Sequence, residues 1–269
     1  MPDLAADLAP LPDVPGLAVT LAEGVLTARF DRPEVYNAID DTVGIALAET
    51  LEAAQTRGDV RVVVLTGTGA AFSTGADISG ENAHERFDVR AMEMTSRFIG
   101  AITRCDRPVV AAVNGIAAGV GCSIALACDL VLAAESASFL LAFTRIGFMP
   151  DGGTSATVAA SIGRARAMRM ALLAEPLPAS EAFTAGLVSH LVPDADLADE
   201  TARLARRLAG GPPLAFAATK KAITAATLPH LDEALERELT GQSVLMRTAD
   251  VAEGMAAFGE RRRPVFRGE

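Results

Sequence analysis

The sequence predicts a mixed α/β domain built on a largely parallel sheet, and three observations carry that expectation. Apolar runs at 60–67 (VRVVVLTG), 108–113 (PVVAAV) and 130–134 (LVLAA) are rich in Val, Leu and Ala. They mostly lack polar alternation, as strands covered on both faces do. Each of the first two ends in a glycine-rich loop and is followed by a helical stretch, the repeat from which right-handed parallel α/β arrangements are built. Strands fill the first two-thirds of the chain, and helices dominate the last third. With 269 residues, half of them hydrophobic, the chain can bury a sizeable core.

Taken in order, residues 1–16 are acidic and proline-rich, read as a floppy lead-in and not as a signal peptide. Residues 17–30 alternate around Glu23-Gly24 and predict a hairpin. DRPEVYNAID (31–40) is a turn-rich connector. Residues 41–57 carry apolar side chains at helical spacing, with the pair Asp40-Asp41 placed to cap the start. The strand at 60–67 runs into TGTGAAFSTGADIS, and a helix is expected over roughly 84–104. After the strand at 130–134 come a short FLLAF segment (139–143) and the turn-rich RIGFMPDGGTS. Helices are predicted over 155–173 and 179–185, a strand over 188–192, and helices to the end. From Pro212 the chain reads as an amphipathic helical appendage.

Composition removes several classes. A net charge of −10 and a pI near 4.9 argue against a nucleic-acid surface. Residues 108–128 are uncharged and long enough for a membrane span, yet their glycines, Asn114 and Ser123 make a poor one. Cys105, Cys122 and Cys128 form an odd set without metal-like spacing, which fits a reduced, cytoplasmic protein. His84, His190 and His230 are scattered, so no metal site is expected.

The stretch PVVAAVNGIAAGVGCSIALACD (108–129) is where chemistry is expected. A buried strand, a glycine turn and a helix start aim backbone N–H groups at one spot, suited to an anion or a developing negative charge. Tight packing of glycines is the simpler alternative.

Three ordered segments, FSTGADIS (72–79), NGIAAGVGCSIALACDL (114–130) and IGFMPDGGTS (146–155), resemble the enoyl-CoA hydratase/isomerase, or crotonase, superfamily. DRPEVYNAID (31–40) and DVAEGMAAFGERRRPVF (250–266) agree, so the similarity spans about 17–267. The resemblance implies a crotonase-like spiral of ββα units over 17–211, with a helical trimerisation region over 212–269. It also implies a homotrimer or dimer of trimers that takes acyl-CoA thioesters, with coenzyme A entering only as part of the substrate and no separate cofactor. By motif, the backbone amides of Ala76 and Val120 would hold the thioester oxygen. Ala38, Ala76, Asp77 and Ile78 would line the nucleotide part, with Gly119, Ser123 and Phe143 also around the substrate. The residues themselves give Asp77 a turn- or helix-capping role instead of catalysis. Lys220 and Lys221 read as surface charge or as partners of coenzyme A phosphates. The run Arg261 to Arg263 reads as a solvated face, while the resemblance implies that the neighbouring Phe258 region can contact the nucleotide across a subunit boundary.

Hydratases of that family typically use two glutamates, and the matching positions here hold Ser123 and Phe143. Phe does no proton chemistry, and a lone Ser is no general acid at neutral pH. Asp151 remains. Bordered by Phe148, Met149 and Phe143, its carboxyl is a candidate for a desolvated acid/base that moves a proton between two carbons of an enoyl thioester. Its plain alternative is a turn residue in Pro-Asp-Gly. The function expected is a double-bond isomerase of enoyl-CoA with Asp151 as acid/base; the alternatives are a hydratase of unusual site using Ser123 and Asp151, and a non-catalytic acyl-CoA binder. Phe139, Phe143, Phe148 and residues 80–98 are candidates for the acyl pocket.

Overall fold

The computed structural model describes residues 11–80, 84 and 87–269. Residues 1–10 of the expected lead-in, and residues 85–86 of the helix expected over 84–104, lie outside the described residues.

A hairpin of β1 (Leu17–Ala22) and β2 (Val25–Phe30) opens the fold, with Glu23 and Gly24 at positive φ in its turn. Helix α1 (Asp41–Thr56) begins where Asp40 accepts a bond from the Val43 amide, as the acidic pair predicts. The next three strand pairs each place one strand in each of two sheets. These are β3 (Val62–Gly67) with β4 (Ala71–Ser73), β5 (Val109–Val113) with β6 (Ile116–Ala118), and β7 (Leu130–Ala134) with β8 (Ser138–Leu140). Helix α2 (Val89–Arg104) returns the chain after the first pair, and α3 (Val120–Ala127) after the second. This is a ββα spiral.

The larger sheet runs β1-β2-β3-β5-β7-β10, with β10 at His190–Val192, and every neighbour past the β1–β2 hairpin is parallel. The smaller runs β4-β6-β8-β9, with β9 at Leu177–Pro178 antiparallel to β8. The unalternating strands are covered on both faces: Val62 to Leu65 and Val109 to Val113 are buried throughout. Leu47 and Leu51 of α1 are fully buried in the same core. Burial of each such side chain contributes roughly 2–3 kcal/mol.

One boundary differs from expectation. The helix predicted over 155–173 is two, α4 (Thr154–Ile162) and α5 (Arg164–Leu173), because Gly163 at φ +79° breaks the path between them. The FLLAF segment, given no element in advance, ends strand β8 at Leu140 and enters a 3-10 turn over Ala142–Ile146. The rest is helical: α6 (Ala179–Ala185), α7 (Leu197–Ala209), α8 (Pro213–Thr227), α9 (Leu231–Leu245) and α10 (Ala249–Gly259). Among the described residues no helix is long and apolar enough to cross a membrane.

Candidate active site

A cavity of about 630 Å³ opens between the loops that leave the small sheet and the C-terminal helices. Ala38, Ala76, Asp77, Ile78, Gly119, Val120, Phe143 and Asp151 all line it, so elements spread over more than a hundred residues meet at one place.

The connector at 31–40 builds the first wall. Asn37, at φ +58° and buried, donates to the carbonyls of Thr68 and Ala71 and accepts from the Arg32 amide. That lock sets residues 38–40 beside residues 75–77. The Ile39 amide donates to Gly75 O at 2.8 Å, and the Asp77 amide to Ile39 O at 2.9 Å. In such a parallel bridge the residue between the two bonds turns its own N–H the other way. That residue is Ala76. Asp77 is a turn residue: its Oδ1 accepts from the Ser79 amide and hydroxyl, and Oδ2 pairs with Arg32. Those bonds outweigh burial and hold its carboxyl below the usual range. It caps a turn and no described helix.

Val120 opens α3 directly after Gly119, whose φ 52°, ψ −133° suits glycine alone. Gly75, at φ +91°, packs so closely that a Cβ there would lie 3.0 Å from the Val120 amide and 2.9 Å from Ala118 O. The two loops thus bring the Ala76 and Val120 amides against the same cavity. Among the described residues neither amide has an acceptor. An unpartnered helix-start N–H in an apolar recess is the kind of group that can accept an anionic partner.

Asp151 sits opposite, 6% exposed. Its backbone carbonyl accepts from both Ser123 Oγ and Thr154 Oγ1, each at 2.8 Å, which fixes the loop. Oδ2 accepts from Gln242 Nε2 at 2.9 Å, while Oδ1 is buried with no hydrogen-bond partner. Burial pushes the carboxyl up to about 7, opposed by the Gln242 bond and reinforced by the charge of Glu238. A carboxyl so tuned exchanges a proton readily near neutral pH. Asp40, Asp41 and Asp77 also line the cavity, but Asp151 is the buried one.

Ser123 does not join the site as expected. It is 1% exposed and packed against Gly152, its hydroxyl spent on the Asp151 carbonyl, so it supports the loop and does not line the cavity. Phe139 is likewise buried in the core away from the cavity, whereas Phe143 and Phe148 line it with Phe87 and Phe98. Lys220 is neither surface charge nor placed at the cavity: its ammonium donates to Asp129 at 2.7 Å and to the Arg107 carbonyl. Lys221 pairs with Asp106, and Arg262 with Glu253. Phe258 lines the cavity of its own chain. No cluster able to hold a metal exists among the described residues.

Glu238 and Gln242, both on α9, were not expected. The Glu238 carboxylate accepts from the Gly153 amide at 2.7 Å and the Ser155 amide at 3.0 Å, capping α4, which has no side-chain cap of its own. Both residues fall on the stripe Leu231, Ala234, Leu235, Glu238, Gln242 that α9 buries. Polar residues in the register of an apolar stripe were the available signal.

Residues 20–269 match the family model described as enoyl-CoA hydratase/isomerase. A protein of Rhodobacter capsulatus named "Probable enoyl-CoA hydratase" is 44% identical over 92% of this chain and 96% of its own length. The 1,2-epoxyphenylacetyl-CoA isomerase of Escherichia coli is 37% identical over 92% of this chain and 96% of its own. A crystal structure titled an enoyl-CoA hydratase, from Mycobacterium avium subsp. paratuberculosis, superposes with TM-score 0.89 at 49% identity. It covers 95% of this chain and all of its own. With its ββα spiral and cavity in place, this chain has the crotonase fold and belongs to the enoyl-CoA hydratase/isomerase family of acyl-CoA enzymes.

Proposed function

We propose that this enzyme shifts the double bond of an enoyl-CoA, with Asp151 as the only acid/base and the Ala76 and Val120 amides as the oxyanion donors. The observation that carries the reading is the Asp151 carboxyl: the residue lines the cavity, is buried, and has no hydrogen-bond partner on Oδ1. The carboxylate takes a proton from C2 of a 3-enoyl thioester. The C2–H electron pair moves into a dienolate whose negative charge rests on the thioester oxygen. The same carboxyl then delivers the proton to C4, leaving the double bond at C2–C3. The step needs neither water nor a second acid. Each amide donor typically contributes about 3–4 kcal/mol to such an oxyanion.

The family's paired-glutamate hydration has no support from the side chains present, since Phe143 and the sequestered Ser123 stand where those groups would act. Relatives carry both hydratase and isomerase names, so a hydratase working through Asp151 alone is the second reading. Phe87, Phe98 and Phe148, with Met92 and Met94, supply apolar walls suited to the acyl group. We also propose assembly as a homotrimer or dimer of trimers through the C-terminal helices, where α8 buries no residue within its own chain and leaves Leu214 and Ile223 exposed. Three free cysteines and an acidic charge support a cytoplasmic setting.

The test offers 3-enoyl-CoA and 2-enoyl-CoA to wild type and Asp151→Asn. The reading expects 2-enoyl product from the first and little 3-hydroxyacyl-CoA from the second. The variant should lose roughly 100-fold or more in turnover while binding acyl-CoA as tightly. Hydration surviving the substitution overturns it, and binding without any turnover supports a non-catalytic binder.

A further inference from the structure

Helix α9 reaches the Asp151 carboxyl through Gln242. We propose that Gln242 is a positioning residue for the acid/base chemistry there: its side-chain amide holds Oδ2 of Asp151, so that Oδ1 is the oxygen that meets substrate in both protonation states. The inference rests on Asp151 being the acid/base.

The amide cannot sit the other way round. Gln242 is 1% exposed, and the backbone of Met149 reads both ends of its side chain. Oε1 accepts from the Met149 amide at 3.1 Å, and Nε2 donates to the Met149 carbonyl at 2.9 Å. A flipped amide would set oxygen against that carbonyl and against Asp151 Oδ2, two repulsive contacts. Nε2 therefore faces Asp151 with its second hydrogen, at 2.9 Å. A protonated Oδ2 would be the poorer acceptor for that donor, so the neutral acid favours its proton on Oδ1. The backbone is fixed as firmly: Ser123 Oγ and Thr154 Oγ1 hold the Asp151 carbonyl, and Glu238 holds the amides of Gly153 and Ser155.

The groups that bear on this carboxyl are few. Glu238, one turn before Gln242, brings the charge that disfavours ionisation, and the Gln242 donor favours it. Against the same loop, α3 presents Ser123 and α2 presents Ile99, neither of which is charged. Asp40, Asp41, Asp77 and Arg145 line the same cavity.

The experiment follows the Asp151 carboxyl by NMR in protein labelled with 13C-carboxyl aspartate, its signal assigned with Asp151→Asn. It compares wild type with Gln242→Met and Gln242→Glu. Removing one donor to a carboxylate should raise the titration midpoint in the Met variant by about one pH unit. The Glu variant keeps an acceptor for the Met149 amide but sets a second acid against Oδ2, and should raise the midpoint further. The acid limb of kcat/KM should move with the midpoint. The Met variant should lose about fivefold near neutral pH, about tenfold below it, and recover as pH rises. A midpoint that stays in place, or a loss of kcat/KM equal at every pH, overturns the proposal. If the Met variant does not fold, the Glu variant decides by the same shift. The titration needs no substrate, so a shifted midpoint with no turnover of any enoyl-CoA overturns the isomerase reading and leaves the positioning geometry standing. Isomerase activity that depends on Asp151, with an unmoved midpoint, does the reverse.

Discussion

Replacing Asp151 by Asn keeps the shape of the side chain and an oxygen for the Gln242 amide, and removes only the ability to ionise. The consequence for stability follows from where the carboxyl sits. Burial raises it from its ordinary 3.8 to about 7 in the folded protein. A carboxyl raised on folding contributes stability that is fully present below its unfolded value. That contribution is lost as pH rises through the folded value. At about 1.36 kcal/mol per pKa unit, carrying this group from 3.8 to about 7 costs up to roughly 4 kcal/mol at high pH. The Asn variant does not pay this. Between about pH 5 and about pH 8 the variant should therefore gain roughly 3 kcal/mol relative to wild type. Urea unfolding of both proteins at the two pH values measures it. Curves whose separation changes by less than about 0.5 kcal/mol would show that the carboxyl titrates as an exposed one does, and would refute the reasoning.

Three further outcomes follow from the packing. Gly75→Ala sets a Cβ 3.0 Å from the Val120 amide at φ +91°. It should cost about 1–3 kcal/mol of stability in urea and about 10²-fold in kcat, with the larger functional loss reporting the displaced amides. Ser123→Ala removes one of two hydroxyls on the Asp151 carbonyl, and Thr154 remains. It should cost about 1 kcal/mol in urea unfolding and change turnover by only a few-fold, since Thr154 still holds the loop and Ser123 does not line the cavity. Lys220→Ala strands Asp129, whose carboxyl burial already raises against the pull of that lysine. It should destabilise by about 3 kcal/mol above neutral pH, as a thermal or urea melt will show.

Much of this architecture is legible in the chain because local and global signals agree. The unbroken apolar runs at 60–67 and 108–113 are buried parallel strands, and Asp40 caps α1 as its position suggests. The glycine loops read as amide-presenting loops, and Gly75 and Gly119 take backbone conformations that other residues avoid. The break at Gly163 was hidden, since helical periodicity continues on both sides of it. Ser123 was misleading: its place in the motif matches a catalytic position, but only the three-dimensional contact with the Asp151 carbonyl reveals its use. Glu238 and Gln242 were missed for a different reason. They lie more than eighty residues from the loop they hold, in a segment (LDEALERELTGQSVL) that reads as part of the amphipathic helical appendage and singles out neither residue. Apart from the Asp151 carboxyl that Gln242 meets, their partners are backbone groups, which sequence composition does not mark.

The central claim is that one carboxyl removes a proton and returns it. The direct measurement uses 3-enoyl-CoA deuterated at C2, with NMR or mass analysis of the 2-enoyl product. With Oδ1 buried in an apolar recess that limits solvent exchange, part of the label should reach C4 in the wild-type product, and none should transfer in Asp151→Asn. Double-bond migration at the wild-type rate in the Asn variant, or 3-hydroxyacyl-CoA as the main product with all label lost to water, would contradict it.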